Sequence, residues 1–397
     1  MTVSLLKSNI PAPSLDWPDR PKVSPTITGI GTAVPTAYDQ RELWEEAAKD
    51  HFRGDSLAEA IWLASGVSTR HLAVPREFAK VASTWSTGER MGRYLEYALP
   101  IATSAARKAL ESASLQPSDL GMFCVASCTG YVTPGIDILV AEALGMDPGV
   151  RRMMIGHMGC HAAVPGMGSV AEYVAVREKP AMLLCVEIPS LHAQPPCSRD
   201  DGLSHDVVDQ MISHALFADA ASAIVVQPVA GSGSFGTGLQ VVDIASATDV
   251  ASKGHMTWTI TDLGFRMHLS TRVPRALARQ VGNAVDSILE ANHLCRDDIA
   301  GYAIHPGGPQ VIRTVGKELG LSAEEMEASY DTLRDFGNCS SATILMVIDN
   351  LVRSGHTEKG EYFLAMAFGP GLTMYTALLR SEQAIPSFPR PGTESSW

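Results

Sequence analysis

One cysteine has the setting that a reactive thiol needs. Cys160 lies within residues 156–163 (Gly-His-Met-Gly-Cys-His-Ala-Ala), after an apolar, strand-like run and before residues 164–176, whose spacing predicts a helix. Unpaired N–H groups at a helix N-terminus favour a thiolate over a thiol, and the thiolate is the nucleophilic form. Such a setting is what covalent catalysis by Cys160 would need. Taken alone, however, the stretch favours the plainer alternative of a small, buried, hydrophobic cysteine, and the rest of the chain must decide between them.

A histidine and an asparagine further along the chain could serve such a nucleophile. His305 opens the loop His-Pro-Gly-Gly-Pro after a predicted strand, and Asn338 lies in Gly-Asn-Cys-Ser-Ser before a predicted helix. Taken singly, Asn338 could be a helix N-cap and His305 a core histidine. Their placement on similar turns favours catalysis.

The two halves of the sequence repeat one order of elements. Each half has a strand, a polar loop, a helix, and then a turn whose small residues open another helix. The interval from Cys128 to Cys160 is also close to that from His305 to Asn338. This alternation predicts an α/β protein of two similar halves packed face to face, with Cys160, His305 and Asn338 at strand-end turns. Chance similarity between two turns is the alternative.

These elements divide the chain into four parts. They are a Pro-rich arm (1–25), an N-terminal half with the cysteine (26–235), a C-terminal half with the histidine and asparagine (236–380), and a tail (381–397). A Gly/Ser-rich segment at 231–236 is the predicted linker. The predicted strands are 26–32, 119–126, 152–156, 181–186, 221–226, 298–304 and 362–367, and the predicted helices are 39–65, 93–114, 136–144, 164–176, 207–217 and 311–319.

Composition indicates a globular protein of the cell interior. The formal net charge of -12 over 397 residues argues against general binding to nucleic acid or to an anionic membrane. Seven cysteines, an odd number in a long chain, do not indicate a disulfide framework. Residues 1–25 lack an apolar core of signal-peptide length, and no run approaches the roughly 18 apolar residues of a membrane span. We therefore expect a cytoplasmic protein.

Several motifs, in order along the chain, resemble those of type III polyketide synthases, the chalcone synthase-like enzymes. The segments that begin at His305, Gly337 and Ala367 resemble the three C-terminal signatures, and residues 215–222 resemble the phenylalanine-bearing segment. Residues 128–135 are similar to a loop of bacterial members. The resemblance implies a thiolase-like fold with a layered αβαβα core and a homodimer. It also implies condensation of malonyl-CoA onto an acyl starter, then cyclisation to a naphthalene, resorcinol or alkylpyrone type of product.

The resemblance also assigns roles to residues. Cys160 would carry the acyl group as a thioester, while His305 would keep the thiolate ionised and then, with Asn338, donate to the thioester carbonyl oxygen. No metal or redox cofactor is needed, because the malonyl carboxylate leaves as CO₂ and supplies the carbanion. Thr133 would reach the partner subunit's cavity, and His192 could act as a base or donor in cyclisation. The substrate-binding residues implied are Phe217, Cys128, Thr133, His192, Met267, Gly308, Phe368 and Gly369, with core packing as the alternative for Phe217.

Some features leave alternatives open. Residues 57–65, where the family often has basic residues for the CoA phosphates, contain none, so the starter could arrive on CoA or on an acyl carrier protein. A β-ketoacyl carrier-protein synthase III-like enzyme would share Cys-His-Asn, as would a papain-like cysteine hydrolase. A non-catalytic partner that binds acyl chains would need no thiolate. Zinc binding by His157, Cys160 and His161 is disfavoured, because Gly156 and Gly159 interrupt the helix that it requires.

Overall fold

The structure, a computed structural model, describes residues 23–76, 79–194, 205–230, 238–354 and 357–383. Within these ranges no helix is both long and apolar enough to cross a membrane. The strands are β1 Ser24–Ala33, β2 Thr36–Asp39, β3 Thr69–Leu72, β4 Met122–Ser127, β5 Arg151–Gly156, β6 Ala181–Glu187, β7 Ala220–Val229, β8 Leu239–Thr248, β9 Met256–Thr261, β10 Gly264–Leu269, β11 Ile299–Ile304, β12 Tyr362–Gly369 and β13 Thr373–Ser381.

The α-helices vary from single turns to one of 26 residues. They are α1 Gln40–Leu43, α2 Lys49–His51, α3 Ser56–Leu63, α4 Ala79–Ala82, α5 Thr87–Ser112, α6 Ile136–Leu144, α7 Ala163–Arg177, α8 His205–Leu216, α9 Val273–Ala278, α10 Val281–Ala291, α11 Pro309–Leu319, α12 Glu327–Phe336 and α13 Ser341–Ser354. The predicted linker and the loop at 195–204 lie outside the described residues, as do nearly all of the N-terminal arm and C-terminal tail.

The predicted repeat is confirmed by the sheet. Nine of the described strands join in the order β11-β12-β13-β8-β1-β7-β6-β4-β5. In the N-terminal half β4 pairs parallel with β6, and β6–β7 and β7–β1 are antiparallel. The C-terminal half repeats this pattern, with parallel β11–β12 followed by antiparallel β12–β13 and β13–β8. The halves meet at β1 and β8, which pair at Thr26–Gln240 and Ile27–Leu239.

Helices cover and separate the two halves. Buried residues of α7 and α13, among them Val170 and Leu345, form one core with apolar residues of strands from both halves, and these helices are the central layer. α5 covers the outer face of the N-terminal strands, where a side chain at Gly29 or Gly31 would collide with the α5 backbone. α9, α10 and α11 cover the other outer face. The predicted αβαβα layering is therefore confirmed.

Two predicted features differ from the structure. The helical segment predicted at 39–65 is broken into α1, a π-helical turn (Trp44–Ala48), α2 and α3. The break comes at Arg53 and Gly54, which have positive φ, before Asp55 caps α3 by accepting from two backbone N–H groups. Asn338 was expected at a strand-end turn, but the element before it is α12, whose residues Ala328 and Leu333 are buried. The C-terminal half thus has a helix where the other half has β5.

Candidate active site

Cys160 lies in a tight turn between β5 and α7. β5 ends at Gly156, and Gly159 has a φ of 79° and a backbone so close to the Pro370 ring that a side chain would collide. Cys160 is 5% exposed. His157 has a φ of 59°, so His157, Cys160 and His161 do not share a helical face for zinc. Across the described residues, no group of three His, Cys, Asp or Glu side chains is arranged to hold a metal ion.

α7 begins at Ala163, so Cys160 lies shortly before a helix N-terminus, as the sequence predicts. The ionisation of the thiol, however, differs from the prediction. Burial raises the pKa of Cys160 to about 12, and the negative charge of Glu187 acts in the same direction, although a hydrogen bond from Ser340 opposes both. Cys160 alone is therefore a neutral thiol near pH 7, because the cost of desolvating a thiolate exceeds the stabilisation by its neighbours.

His305 follows β11 and is 1% exposed. Burial, reinforced by the nearby His161, lowers the pKa of His305 to about 3, so the imidazole is neutral near pH 7. Neither ring nitrogen of His305 has a hydrogen-bond partner among the described residues. Buried polar atoms are rarely left in this way. One nitrogen of a neutral imidazole donates and the other accepts, so the ring can both take a proton and donate to an oxygen.

Asn338 is held by both its backbone and its side chain. Its N–H donates to Leu216 O and its C=O accepts from Ala218 N, which ties the turn before α13 to the end of α8. The Oδ1 atom accepts from Ser340 N at 2.9 Å. This bond fixes the orientation of the amide, and the Nδ2 group is the part that remains to donate to a ligand.

Cys160, His305 and Asn338 line one cavity of about 790 Å³, which we call the reaction cavity. The three residues are buried, whereas other residues of the same wall are exposed and mark its mouth. The exposed lining residues are Ala64, Thr271, Arg275, Gln310 and Arg313. The cavity therefore runs from solvent to a thiol, an imidazole and an amide at its inner end.

Most of the predicted binding residues also line cavities. Phe217 and Met267 line the reaction cavity and two others, so Phe217 is not simply core packing. Gly308 and Phe368 line the reaction cavity, and Cys128 lies with Cys160 on a small adjoining pocket. Gly369 packs against the His161 ring instead of lining these cavities. Thr133 is exposed and lines none of them, and its predicted reach into the partner subunit's cavity stays a prediction.

His192 lies in a cavity wall, but its nitrogens are already used. Nε2 pairs with Thr129 O at 2.7 Å, and Nδ1 accepts from Phe265 N at 3.0 Å. These bonds fix the tautomer with the proton on Nε2. The ring also stacks on Phe265, with centroids 4.5 Å apart. The protein backbone therefore occupies both nitrogens, and a role of His192 as a base or donor in cyclisation, which would require one of these bonds to break, stays a prediction.

Sequence reasoning missed several residues of the site. The buried Glu187 carboxylate accepts from Cys128 N at 3.0 Å, Thr129 Oγ1 at 2.7 Å and Ser341 Oγ at 2.6 Å, and so joins the two halves of the site. Burial raises the pKa of Glu187. Trp258 donates from Nε1 to Cys128 O at 2.8 Å. A carboxylate at the end of an apolar strand was the one signal in the sequence that could have revealed Glu187.

A buried thiol, imidazole and amide at the end of a cavity, on turns of a two-halved αβαβα fold, define a thiolase-type condensing enzyme. Residues 22–230 match the family described as chalcone and stilbene synthases, N-terminal domain, and residues 243–383 match the C-terminal domain. The chain belongs to this family. It is a type III polyketide synthase and therefore an acyltransferase. The predicted family is confirmed, and the papain-like alternative is wrong.

Curated relatives and solved structures agree with this assignment. The chain is 28% identical over 370 residues to "Alpha-pyrone synthesis polyketide synthase-like Pks18" of Mycobacterium tuberculosis, covering 90% of this chain and 91% of the relative. It is 30% identical over 374 residues to "3,5-dihydroxyphenylacetyl-CoA synthase" of Streptomyces toyocaensis, covering 92% of each. The crystal structure of PKS-I from the brown alga Ectocarpus siliculosus superposes with a TM-score of 0.83 at 27% identity, covering 90% of this chain and 98% of that one.

Proposed function

We propose that the enzyme loads an acyl starter on Cys160, extends it with malonyl-CoA by decarboxylative condensation, and cyclises the polyketide to an aromatic or pyrone product. The observation that carries this proposal is that Cys160, His305 and Asn338, all buried, line the same reaction cavity. Relatives named for α-pyrone, tetrahydroxynaphthalene and dihydroxyphenylacetyl-CoA synthesis support this range of products. The reaction itself calls for no metal or redox cofactor, since CoA thioesters supply both carbon units.

In the loading step the sulfur attacks the thioester carbonyl of the starter. Burial disfavours a lone charge on either Cys160 or His305, so both are neutral at rest. The thiol proton passes to His305 as the S–C bond forms, because an ion pair offsets much of the cost that each charge meets alone. The bond to the CoA sulfur then breaks, and His305 returns the proton to that leaving thiolate. The starter is left on Cys160 as a thioester.

In the extension step malonyl-CoA loses CO₂ beside the acylated cysteine. The electrons of the broken C–C bond pass into the thioester, whose carbonyl oxygen becomes an enolate oxygen. An N–H of His305 and the Nδ2 group of Asn338 donate to that oxygen, and such donors lower the barrier because they are fixed before charge develops. The enolate carbon attacks the carbonyl carbon on Cys160, a new C–C bond forms, and the sulfur leaves as a thiolate. A proton taken up from water then restores the neutral thiol.

A product assay tests the proposal. The protein is incubated with malonyl-CoA and a panel of alkyl and aryl acyl-CoA starters, and the products are identified by mass spectrometry. We expect masses that equal a starter plus a whole number of two-carbon ketide units. Parallel reactions with malonyl carrier protein distinguish a β-ketoacyl carrier-protein synthase-like activity, which would extend the starter from that donor and leave malonyl-CoA unused. If no starter is extended from either donor, the proposal is contradicted.

The mouth of the reaction cavity is suited to an acyl donor with phosphate groups. Arg275 of α9 and Arg313 of α11 are exposed at the mouth, whereas α3 across from them contributes only Ile61. None of the described residues that line this cavity is acidic, although the protein has 43 Asp and Glu residues. The mouth is therefore locally basic in an acidic protein, which favours approach of an anionic donor. We propose that these arginines replace the basic residues that 57–65 lack.

Arg275→Ala and Arg313→Ala should each raise KM for malonyl-CoA roughly five-fold, the scale of an exposed ion pair, with kcat little changed. The malonyl thioester of pantetheine lacks the nucleotide phosphates, so its KM should not move. Arg279→Ala is the matched control, because that guanidinium pairs with Asp249 at 3.4 Å and does not line the cavity. Equal losses with both thioesters would mean that the arginines do not recognise phosphate.

Met267 lies where the cavities adjoin, and its flexible side chain can yield to an acyl chain. Met267→Trp should shorten the product by at least one ketide unit or restrict the enzyme to small starters, because the larger ring fills space that the chain needs. Product masses from the starter panel measure this. Met256→Trp, which alters the reaction cavity alone, is the comparison. An unchanged product profile in Met267→Trp would show that the chain does not pass this residue.

We propose that the enzyme is a homodimer, with β5 at the contact. β5 is the last strand of the described sheet, and Tyr131, Ile138 and Met154 nearby expose 67%, 39% and 43% of their surface. Exposed apolar groups at an open sheet edge favour pairing with another chain. Thr133 in the adjoining loop could then reach a partner's cavity.

Light scattering should give a particle mass of twice the 42.3 kDa chain mass. Met154→Asp should halve the measured particle mass, whereas Ile260→Asp, a change at another exposed apolar residue, should not.

A further inference from the structure

The end of α8 forms part of the wall of the reaction cavity beside Asn338. Asn338 N donates to Leu216 O at 2.9 Å, and Ala218 N donates to Asn338 O at 3.0 Å. Phe217 lies between these two bonds and lines the reaction cavity together with Asn338. The position of the Phe217 ring relative to the Asn338 amide therefore depends on how firmly the chain is held where α8 ends.

A buried cation holds this end of α8. Arg70 of β3 is 4% exposed, and its Nη1 donates to Phe217 O at 3.1 Å and also to His214 O. The last carbonyl groups of a helix have no intrahelical partner and carry the negative end of its dipole, so a cation stabilises them. Burial lowers the pKa of Arg70 to about 10, although the negative charge of Asp219 opposes this, so the guanidinium remains charged near pH 7.

Arg70 also contacts the turn that carries Asn338. Gly337 has a φ of 73°, and a Cβ atom there would lie 3.7 Å from Cγ of Arg70. The guanidinium carbon lies 4.5 Å from the centre of the Trp62 ring of α3, in a cation–π contact that limits its movement. This one side chain therefore contacts α3, the end of α8 and the turn before α13.

Asp219 holds the same segment by further bonds. Its N–H donates to His71 O of β3 at 2.8 Å. Its buried carboxylate accepts from Ala73 N at 2.7 Å and from Ser190 N at 2.9 Å. Burial raises the pKa of Asp219 to about 6, so the carboxyl is mostly ionised near pH 7. The chain from the end of α8 to β7 is thus held mainly by β3 and the residues that follow it.

The nucleophile and the base are held by other groups. Cys160 lies in the turn between β5 and α7, and His305 N donates to Met366 O of β12 at 2.8 Å. Neither residue takes part in the hydrogen bonds that Arg70 makes within the described chain. Loss of Arg70 should therefore disturb the groups that meet the malonyl thioester more than it disturbs the thiol and the imidazole.

We propose that Arg70 is a positioning residue for the decarboxylation step and that it acts through Phe217 and Asn338. This inference rests on the proposed function. The amide of Asn338 must reach the carbonyl oxygen of the malonyl thioester while the Phe217 ring packs against the bound group, and Arg70 fixes the chain that joins them. Donors stabilise a developing enolate only when their geometry is held, and a displacement of about 1 Å costs up to about 100-fold in rate.

The ratio of two rates tests this inference. Release of radiolabelled CO₂ from malonyl-CoA without a starter measures decarboxylation, and intact-mass spectrometry measures acyl loading. Arg70→Met keeps an unbranched stem but removes the donors. It should lower decarboxylation about 10–100-fold, in kcat rather than KM, and leave loading near the wild-type rate. Arg70→Lys keeps a charged donor and should recover part of this loss, although an ammonium does not reproduce the planar guanidinium.

Arg90→Met is the matched control. Arg90 is also a buried cation, and it donates to three backbone carbonyls, but it lines none of the cavities described above. Its loss should change decarboxylation and loading by the same factor. A double-mutant cycle adds a second measurement, because Arg70→Met should slow decarboxylation by a smaller factor in the Asn338→Ala background, where the donor that Arg70 positions is already absent.

The outcomes separate this inference from the proposed function. If Arg70→Met lowers decarboxylation and loading by one factor, or if its effect is the same in the Asn338→Ala background, Arg70 only supports the fold and the inference is wrong. If Arg70→Met does not fold, Arg70→Lys decides, and a wild-type ratio of decarboxylation to loading in that variant refutes the inference. In these cases the condensing activity of the wild type stands. A wild type that neither loads a starter nor decarboxylates malonyl-CoA would contradict the proposed function and this inference together.

Discussion

Cys160→Ala is expected to abolish acyl loading and to lower product formation by at least about 10⁴-fold, the scale seen when a covalent nucleophile is removed. No other described thiol meets His305 and Asn338 in the reaction cavity. Intact-mass spectrometry after incubation with an acyl-CoA starter measures loading, and chromatography measures product. Cys295→Ala is the matched control, since that cysteine is exposed on the opposite half and should not affect either quantity.

Decarboxylation of malonyl-CoA should partly survive in Cys160→Ala, because the enolate donors are still present. Loss of acyl loading together with surviving decarboxylation would distinguish the role of Cys160 as nucleophile from the role of His305 and Asn338 as enolate donors. Product formation that continues near the wild-type rate in Cys160→Ala would assign the thioester to another residue or would show that no covalent intermediate forms.

His305→Gln and Asn338→Ala are expected to slow malonyl-CoA decarboxylation by about 10²–10³-fold each, the usual cost of removing one preorganised donor to a developing oxyanion. His305→Gln should also slow loading, since a glutamine cannot take the thiol proton. Asn338→Ala should load at close to the normal rate, because the amide has no part in that proton transfer. Release of radiolabelled CO₂ from malonyl-CoA, without a starter, isolates the first effect.

His157→Gln is the control for these variants, because His157 precedes Cys160 by three positions but is exposed. Its decarboxylation rate should match wild type. Normal decarboxylation in both His305→Gln and Asn338→Ala would remove the two residues from enolate stabilisation. Equal loss of loading and decarboxylation in Asn338→Ala would instead indicate disruption of the turn that Asn338 shares with α8 and Ser340.

The site residues could be predicted where chemistry and local pattern coincide. Cys160, His305 and Asn338 each lie on a turn rich in small residues, next to elements with clear periodicity, and the repeat relates these turns before any coordinates are known. The ionisation of Cys160 could not be predicted in the same way, because it depends on burial by both halves of the protein. The thiolate expected from a nearby helix end is outweighed by desolvation.

His192 illustrates another limit. Its partners are the Thr129 carbonyl and the Phe265 amide, which are distant along the chain and meet only in the folded protein. A polar ring in a cavity wall could therefore be predicted from the sequence. The sequence could not predict that backbone groups occupy both ring nitrogens. The break in the helix predicted at 39–65 was within reach of the sequence, since Arg53-Gly54-Asp55 combines a glycine with an N-cap residue. The helix before Asn338, α12, could not be predicted from the sequence in this way.

The most direct test of the central claim is to trap the acyl-enzyme. The protein is incubated with an acyl-CoA starter alone, digested, and mapped by mass spectrometry, and a second sample is chased with malonyl-CoA before digestion. We expect the acyl mass on the peptide that contains Cys160, and its disappearance in the chase as extended product forms. An acyl mass on Cys128 or Cys295 instead, or one on Cys160 that persists while product accumulates, would contradict it.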